Sequence, residues 1–426
     1  MRKSVLKEKS LKYHSYPTGG KIEIRIKKVC ESKDDLSLAY TPGVADPCLE
    51  IEKDKSKSYE YTNRGNLVGV ISNGTAVLGL GDIGADASKP VMEGKSVLFK
   101  KFAGIDAFDI EINERDPERF IEVVSSLEPT FGGINLEDIK GPECFLIEKK
   151  LIERMAIPVF HDDQHGTSVI ATAGLLNACE LTEKNISSLK IVASGAGAAA
   201  LPTLNMFLKA GADIKKIDVF DKFGHLYSGR KDTNEYNEKF SWKKNPISLN
   251  EALDGADLFL GLSAKGILTG KMIMNMAKNP IIFALANPQP EIDYETATKI
   301  RGDAIICTGR SDYPNQINNV LGFPFIFRGV LDCRASMVTE NMKLAAAASL
   351  SKLARKRVPE SVKKIYKSDL KFSKKYIIPK PFDKRIFIEE SLAVLIQAHK
   401  DRVNKVNVDF KKYERKLKRM INEKAF

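Results

Sequence analysis

Residues 190–208 read KIVASGAGAAALPTLNMFL, and this stretch decides the fold. Lys190 to Ala193 is a short apolar run of strand character, Gly195-Ala196-Gly197-Ala198-Ala199-Ala200 is a glycine-rich loop, and Leu201 to Leu208 has helical apolar spacing. Between a strand and a helix, the first glycine permits a tight turn and the second lets the backbone approach a pyrophosphate. The final small residue lets the helix pack on the strand. Gly195, Gly197, Ala198 and Ala200 are therefore candidate dinucleotide contacts. Pro202 fits if it falls in the first turn of the helix, where its missing N–H has no partner to lose. The next predicted strand, Lys216 to Asp221, ends in an acidic residue 26 positions after Gly195, placed to hold ribose hydroxyls. Asp221 alone favours NAD by repelling a 2′-phosphate, whereas the adjacent Lys222 can pair with one, so NAD and NADP both stay open.

Outward from this loop the pattern is regular. Further strands are predicted at Leu258 to Leu262, Ile281 to Ala286 and Ala304 to Thr308, with helical or loop segments between them, which is the signature of a doubly wound parallel sheet. A nearly apolar run, Ser168 to Leu181, reads as a buried helix leading into it. Upstream, short strands at Val68 to Ser72, Ala107 to Ile112 and Ile157 to Phe160 alternate with helical stretches, so residues 1–160 form a separate α/β domain. Residues 161–350 then carry the Rossmann-type unit, and residues 351–426 form a basic, mostly helical extension in which Ile386 to His399 has helical spacing.

Charge belongs to that extension. The whole chain of 426 residues carries a formal +12, but residues 351–426 hold 23 Lys plus Arg against 9 Asp plus Glu, which leaves the first 350 residues at −2. The main body therefore has no electrostatic footprint for a polyanion. No run approaches the roughly 20 apolar residues that cross a bilayer, and the lysine-rich start lacks an apolar leader segment, so the expectation is a cytoplasmic protein with no membrane contact. Six cysteines without a C-x-x-C pair are expected to be buried thiols in a reducing compartment.

A second loop, Gly79-Leu80-Gly81-Asp82-Ile83-Gly84, matches G-x-G-x-x-G more closely. The chain continues as Ala85-Asp86-Ala87-Ser88-Lys89-Pro90, from which a helix is expected to start several residues too late to aim its N-terminus at a phosphate. This loop is read as a structural turn. Glu137 and Asp138 come after the apolar segment Gly133 to Leu136, and Asp162 and Asp163 after Ile157 to His161. Carboxylates at strand ends suit an oxygen-ligated Mg²⁺ or Mn²⁺, although acids in loops are common without one. His161 and His165 are four apart, but neither H-E-x-x-H nor a nearby cysteine supports zinc, so hydrogen-bonding roles are expected for both. Lys95 reads by spacing as a helix residue facing solvent, and Tyr40 as a turn or core tyrosine; spacing promotes neither.

Taken together, several segments resemble one family, the malic enzymes, and within it the compact bacterial type. They are SLAYTPGVA (37–45), NGTAVLGLGDIG (73–84), KPVMEGK (89–95), INLEDI (134–139), PVFHDDQHGT (158–167), the GAGAAA loop, ALANP (284–288) and ICTGRSDYPNQINN (306–319). The resemblance implies oxidation of L-malate at its hydroxyl carbon, hydride transfer to NAD(P)⁺, loss of CO₂ and protonation to pyruvate. It implies Lys95 as general base, Tyr40 as the acid that protonates the enolate, and Asp162 as a carboxylate beside the lysine. Glu137, Asp138 and Asp163 become the ligands of Mg²⁺ or Mn²⁺, and Asn287 and Asn318 contact substrate and nicotinamide. Residues 1–160 become the substrate domain, with GLGDIG a turn within it, and a homodimer or higher homo-oligomer is expected. Pro202 and Asp221-Lys222-Phe223 depart from common members. The chain is expected to lack the acetyltransferase-like domain of some larger bacterial relatives.

The implied chemistry sets demands. A lysine of pKa near 10.4 acting as a base near neutrality needs a depression of roughly 3 units, about 4 kcal/mol. A neighbouring divalent cation and partial burial push that way, while Asp162 opposes it and is expected to orient the lysine more than tune it. Hydride transfer must come first, because decarboxylation needs the 2-ketone as electron sink. Two rivals remain at this level. One is a malolactic enzyme, which converts malate to lactate with bound cofactor and no net redox change. The other is a non-catalytic relative binding nucleic acid through its tail, against which stands the absence there of an interleaved aromatic platform.

Overall fold

The computed structural model describes residues 2–423. Residue 1 and residues 424–426, the outer ends of the first and third expected segments, lie outside the described residues. Two sheets organise the chain. The first comprises β1 (Leu67–Ser72), β2 (Asp106–Glu111), β3 (Gly133–Leu136) and β4 (Val159–His161), all parallel, in the order β2-β1-β3-β4. The second comprises β5 (Ile191–Ser194), β6 (Ile217–Asp221), β7 (Gly224–His225), β8 (Leu258–Gly261), β9 (Ile281–Ala284) and β10 (Ile305–Thr308), in the order β10-β9-β8-β5-β6-β7. Only β7 runs antiparallel there, against β6.

Strand order reverses at β5, which pairs with β6 on one side and β8 on the other. That is the switch point of a doubly wound sheet, where a crevice opens at the carboxyl ends of the strands. β1, β5, β8, β9 and β10 are buried along their whole length, as parallel strands covered on both faces must be. The helix Asp162–Thr182 is buried on nearly every face, in line with its apolar sequence, but begins six residues before the predicted start, directly at the carboxyl end of β4. Pro202 is the third residue of the helix Ala200–Lys209, within its first turn. Among the described residues no helix is long and apolar enough to cross a membrane.

Two expectations need correction. The helix after GLGDIG starts at Ala85, not near Ser88 or Pro90, and Pro90 lies inside it. Half of the loop's own amides, those of Leu80, Ile83 and Gly84, are nevertheless spent internally. Ile83 and Gly84 N–H both donate to the Gly74 carbonyl, Leu80 N–H to Val77, and Val77 N–H to Gly81. The cysteines also divide: Cys144, Cys179, Cys307 and Cys333 are buried, but Cys30 and Cys48 are exposed.

The basic extension is built into the core. Helix Arg385–Lys400 buries Ile386, Phe387, Val394, Leu395 and Ala398 against helices Phe323–Asp332 and Glu340–Arg355. Helix Phe410–Asn422 adds Tyr413 and Leu417 to the same core and turns Lys412, Arg415 and Arg419 to solvent. The segment is thus a hydrophobic layer with a charged outer face. Arg328 ties this layer to the first sheet, donating to Asp332 at 2.8 Å and to the Asn66 side chain at 2.6 Å from a buried position.

Where Phe323–Asp332 crosses Arg385–Lys400, Gly329 permits the approach. A β-carbon there would stand 2.7 Å from the Ser391 carbonyl oxygen and 2.9 Å from Val394. Gly329→Ala is expected to lower unfolding stability by about 1–3 kcal/mol through overpacking. Urea denaturation checks this; an unchanged midpoint would mean the extension does not pack here.

Candidate active site

The carboxyl ends of β3 and β4 lie side by side, and each carries two acids. Glu137 and Asp138 leave β3, while Asp162 and Asp163 open the helix that begins where β4 ends. Asp138 adopts a left-handed backbone (φ 55°), and its N–H donates to Asp163 Oδ2 at 2.8 Å, so the turn after β3 locks onto the start of the helix. One oxygen from each of Glu137, Asp138 and Asp163 lies within 4.8 Å of the others. Two of these side chains are buried and the third is half-buried.

Lys95 enters this group from helix Ala85–Ala103. Its Nζ lies 2.6 Å from Asp162 Oδ2 and 2.9 Å from Glu137 Oε1, with the Phe323 ring centroid at 4.3 Å. It is 9% exposed and Asp162 0%. Asp162 is itself fixed: Asn319 Nδ2 donates to its Oδ2 at 3.1 Å and to its carbonyl, while Thr167 holds the Asn319 oxygen at 3.0 Å. Gly166 is required here, since a β-carbon would fall 2.1 Å from Asp162 Oδ1. Asn135 donates to Glu137 Oε2 at 2.9 Å.

The electrostatics arise from crowding four carboxylates around one ammonium. Burial lowers the Lys95 pKa, but Asp162 and Glu137 more than offset it and hold the ammonium well above the ordinary lysine value. The sequence-level demand for a depressed lysine is therefore not met by the protein's own charges. Burial, with repulsion from the neighbouring acids, pushes Glu137 well above the carboxylate range. Burial and the charge of Asp163 push Asp138 up to about 7. Asp138 Oδ2 is buried without a hydrogen-bond partner. Unpaired oxygens on crowded acids are what a hard divalent cation relieves, so the residues fit Mg²⁺ or Mn²⁺.

Both histidines flank this cluster. His165 Nε2 lies 2.8 Å from Glu148 Oε1, and Lys343 Nζ is 3.0 Å from His165 Nδ1. Burial would raise Glu148, but His165 and Lys343 hold it at about 2. His161 does not meet the expectation of a hydrogen-bonding role: it is fully buried with neither ring nitrogen hydrogen-bonded among the described residues, Nδ1 lying 3.7 Å from Asp163 Oδ2, and burial pushes it below the usual histidine value.

The dinucleotide loop sits at the end of β5. Gly195 has φ 119° and a β-carbon there would stand 2.5 Å from the Leu262 carbonyl, while beside Gly197 the space is open. Ala198 and Ala200 lead into the helix Ala200–Lys209. Gly195 N–H donates to Phe220 O at 2.7 Å, which puts Asp221 next to the loop. Its carboxylate is already engaged: Arg230 Nη2 lies 2.6 and 2.8 Å from its two oxygens, and Phe223 N–H donates at 2.7 Å. Arg230 also binds Asp232 and the Gly224 and His225 carbonyls, which commits its donors. The cation left beside Asp221 is Lys222, 4.7 Å over the Phe223 ring. Asn287 is exposed, with its carboxamide against Gly309. The oxygen of Asn318 accepts from Val320 N–H at 3.0 Å.

The structure thus groups Lys95, Glu137, Asp138, Asp162 and Asp163, and does not bring Tyr40 to them. Tyr40 ends the short helix Lys33–Ala39 and is 70% exposed, with no side-chain hydrogen bond among the described residues. Sequence reading missed Asn319, Asn135 and Phe323. Asn319 belongs to the NQINN segment, but nothing local distinguishes it from Asn318.

Comparison with known proteins agrees with this architecture. Residues 19–152 match the family model for the malic enzyme N-terminal domain, and residues 164–368 match that for the malic enzyme NAD binding domain. The chain is 57% identical over 393 residues to an NADP-dependent malic enzyme of Escherichia coli (strain K12), covering 91% of this chain and 52% of that protein. It thus spans about half the length of that relative. An NADP-dependent malic enzyme of Halomonas elongata is 49% identical, with 91% of this chain and 92% of that protein covered. The crystal structure of malic enzyme from Pyrococcus horikoshii Ot3 superposes with a TM-score of 0.89 at 42% identity, covering 98% of this chain and 96% of that one. By both domain models and by relatives matched along nearly their full length, the chain belongs to the malic enzyme family.

Proposed function

We propose that this protein oxidatively decarboxylates L-malate to pyruvate and CO₂ while reducing NAD⁺ or NADP⁺. The observation that carries this reading is Lys95, held between Asp162 and Glu137 at the edge of an oxygen-only acid triad. Glu137, Asp138 and Asp163 would hold the Mg²⁺ or Mn²⁺, which when bound draws electrons from the C2 oxygen and stabilises the enolate as CO₂ leaves. Glu137 serves two neighbours, so engaging its charge on a cation would leave Lys95 with Asp162 alone and loosen the hold on its proton, which would pass to solvent before oxidation begins. The neutral Lys95 Nζ would then take the malate hydroxyl proton, with the C2 hydride going to the dinucleotide. The C3–C4 bond next breaks, CO₂ departs, and Tyr40 protonates C3. Asp162 positions the lysine throughout, itself fixed by Asn319. Asn287 and Asn318 would contact substrate and nicotinamide. Gly195, Gly197, Ala198 and Ala200 would receive the pyrophosphate, and Asp221 the ribose, with Lys222 the cation a 2′-phosphate would meet. The four buried, unpaired thiols support a cytoplasmic setting.

We further propose a homodimer in which Tyr40 acts at the partner's Lys95 cluster. Residues 6–40 display Leu6, Leu11, Tyr13, Tyr16, Ile24, Ile26, Val29, Leu36 and Leu38 to solvent, with Ile24 86% exposed. So many exposed apolar side chains in one segment support an interaction face there. Mixing Tyr40→Phe chains with Lys95→Ala chains should restore one site per heterodimer, about a quarter of wild-type activity under random pairing. No recovery, with mixed dimers verified by native mass spectrometry, would place Tyr40 and Lys95 on the same chain.

Absorbance at 340 nm with malate, Mn²⁺ and each dinucleotide tests the reaction itself. Reduced cofactor should accumulate, whereas lactate without reduced cofactor would identify the malolactic reaction. Lys95→Ala should lower turnover by at least about a hundredfold while dinucleotide fluorescence still reports binding. Wild-type-like turnover would remove Lys95 as the base.

The acid triad also predicts a pH signature. Asp138 titrates in the fold at about 7, above the roughly 3.9 of an unfolded aspartate. Ionising it therefore costs stability: the cost is absent below about pH 4 and complete above about pH 7. A bound cation cancels that cost, so the rise in Tm on adding Mn²⁺ should be larger at about pH 7.5 than at about pH 5. An equal rise at both would contradict this placement of the metal.

A further inference from the structure

Glu291 has no place in the chemistry above, yet it is 0% exposed and, among the described residues, has no cationic partner. Its Oε1 accepts Ser263 N–H at 3.0 Å, and its Oε2 accepts Ala286 N–H at 3.1 Å. Ser263 belongs to the loop after β8 and Ala286 to the loop after β9, so one carboxylate bridges two loops at the crevice end of the second sheet. Only a carboxylate offers an acceptor to both amides; a carboxamide would turn its NH₂ toward one of them. Burial pushes its carboxyl above the ordinary glutamate value, and the backbone donors offset this only in part.

The surroundings are shaped to this side chain. A β-carbon at Gly261 would fall 2.4 Å from the Glu291 carboxyl carbon, so the last residue of β8 has to be glycine for the carboxylate to pass. The loop it holds carries Asn287, whose carboxamide rests against Gly309 and whose carbonyl oxygen would stand 3.0 Å from a β-carbon at Gly79. Gly79 has φ 74° and opens the GLGDIG turn. That turn is therefore where the first α/β unit abuts the Asn287 loop.

We infer that Glu291 is a positioning residue for malate turnover: its carboxylate sets the height of the Asn287 loop between the β8 loop and the GLGDIG turn. The inference rests on the reading of Asn287 as a substrate contact. The dinucleotide loop is less dependent on Glu291, because Leu262 N–H also donates to Ser194 O at 2.8 Å and the Ser194 and Ser263 hydroxyls meet at 2.9 Å.

The test compares Glu291→Gln, Asn287→Ala, the double variant and Gly261→Ala in the full-length, Mn²⁺-loaded protein. Malate KM and kcat are measured beside the fluorescence titration of reduced dinucleotide and the thermal midpoint. Glu291→Gln is expected to raise malate KM about tenfold and leave dinucleotide affinity within about threefold. The double variant should be no worse than Asn287→Ala, as expected of two residues acting as one unit. Gly261→Ala, which crowds the clamp from the other side, should raise KM in the same direction and gives a second reading if Glu291→Gln folds poorly. If Asn287→Ala raises KM but Glu291→Gln only lowers the thermal midpoint, with KM within twofold of wild type, the clamp is wrong and the reading of Asn287 stands. If Asn287→Ala leaves KM unchanged, the reading of Asn287 falls and the clamp's purpose with it.

Discussion

A buried ammonium between two carboxylates is the constraint around which this molecule is arranged. Helix Ala85–Ala103 packs on β1, β2 and helix Phe323–Asp332, and from there Lys95 reaches Asp162 and Glu137 while Phe323 closes over it. Removing an ion from water costs several kcal/mol, which only close, hydrogen-bonded counter-charges return. Those counter-charges are in turn held by Asn319, Thr167 and Asn135, residues that hold the acids rather than reach the reacting atoms. One ammonium faces four carboxylates, and this imbalance drives Glu137 and Asp138 upward. The helix N-terminus that begins at Asp162 moderates the excess of negative charge.

The two sheets open their carboxyl ends toward related chemistry. The first gathers the charges suited to a hydroxyl and a departing carboxylate, and the second presents the glycine loop at its switch point. In the proposed reaction, decarboxylation without a prior ketone would have no electron sink, so neither half would suffice alone. The hydrophobic layer of residues 323–422 touches both: Phe323 lies on Lys95 and Arg328 on Asn66 in the first unit, while helix Glu340–Arg355 packs on helices Asp162–Thr182 and Ala200–Lys209.

The fold was legible where local chemistry and topology coincide. The strand, glycine loop and helix of residues 190–208 need each other in that order, and the buried helix after β4 announced itself by composition. β3 and β7 were harder: four residues with a glycine and an asparagine, and two residues pairing on an edge, carry too little periodicity. The start of the helix at Ala85 was hidden because Pro90, an apparent boundary, sits inside it. Lys95 read as a surface lysine, since its burial is made by Glu137, Asp162 and Phe323 from distant parts of the chain. Tyr40 shows the opposite limit: the motif drew attention to it, but its place on one chain is at the surface. Clamps such as Glu291 and Asn319 act on backbone amides and on other side chains, and no spacing rule marks them.

The central claim is that Glu137, Asp138 and Asp163 share one cation beside Lys95. Electron paramagnetic resonance of Mn²⁺ titrated into metal-free protein tests it most directly. The account predicts one tight site per chain, weakened at least about tenfold by Asp138→Asn and unaffected by Asp82→Asn on the GLGDIG turn. Binding in Asp138→Asn that matches the wild type would contradict it.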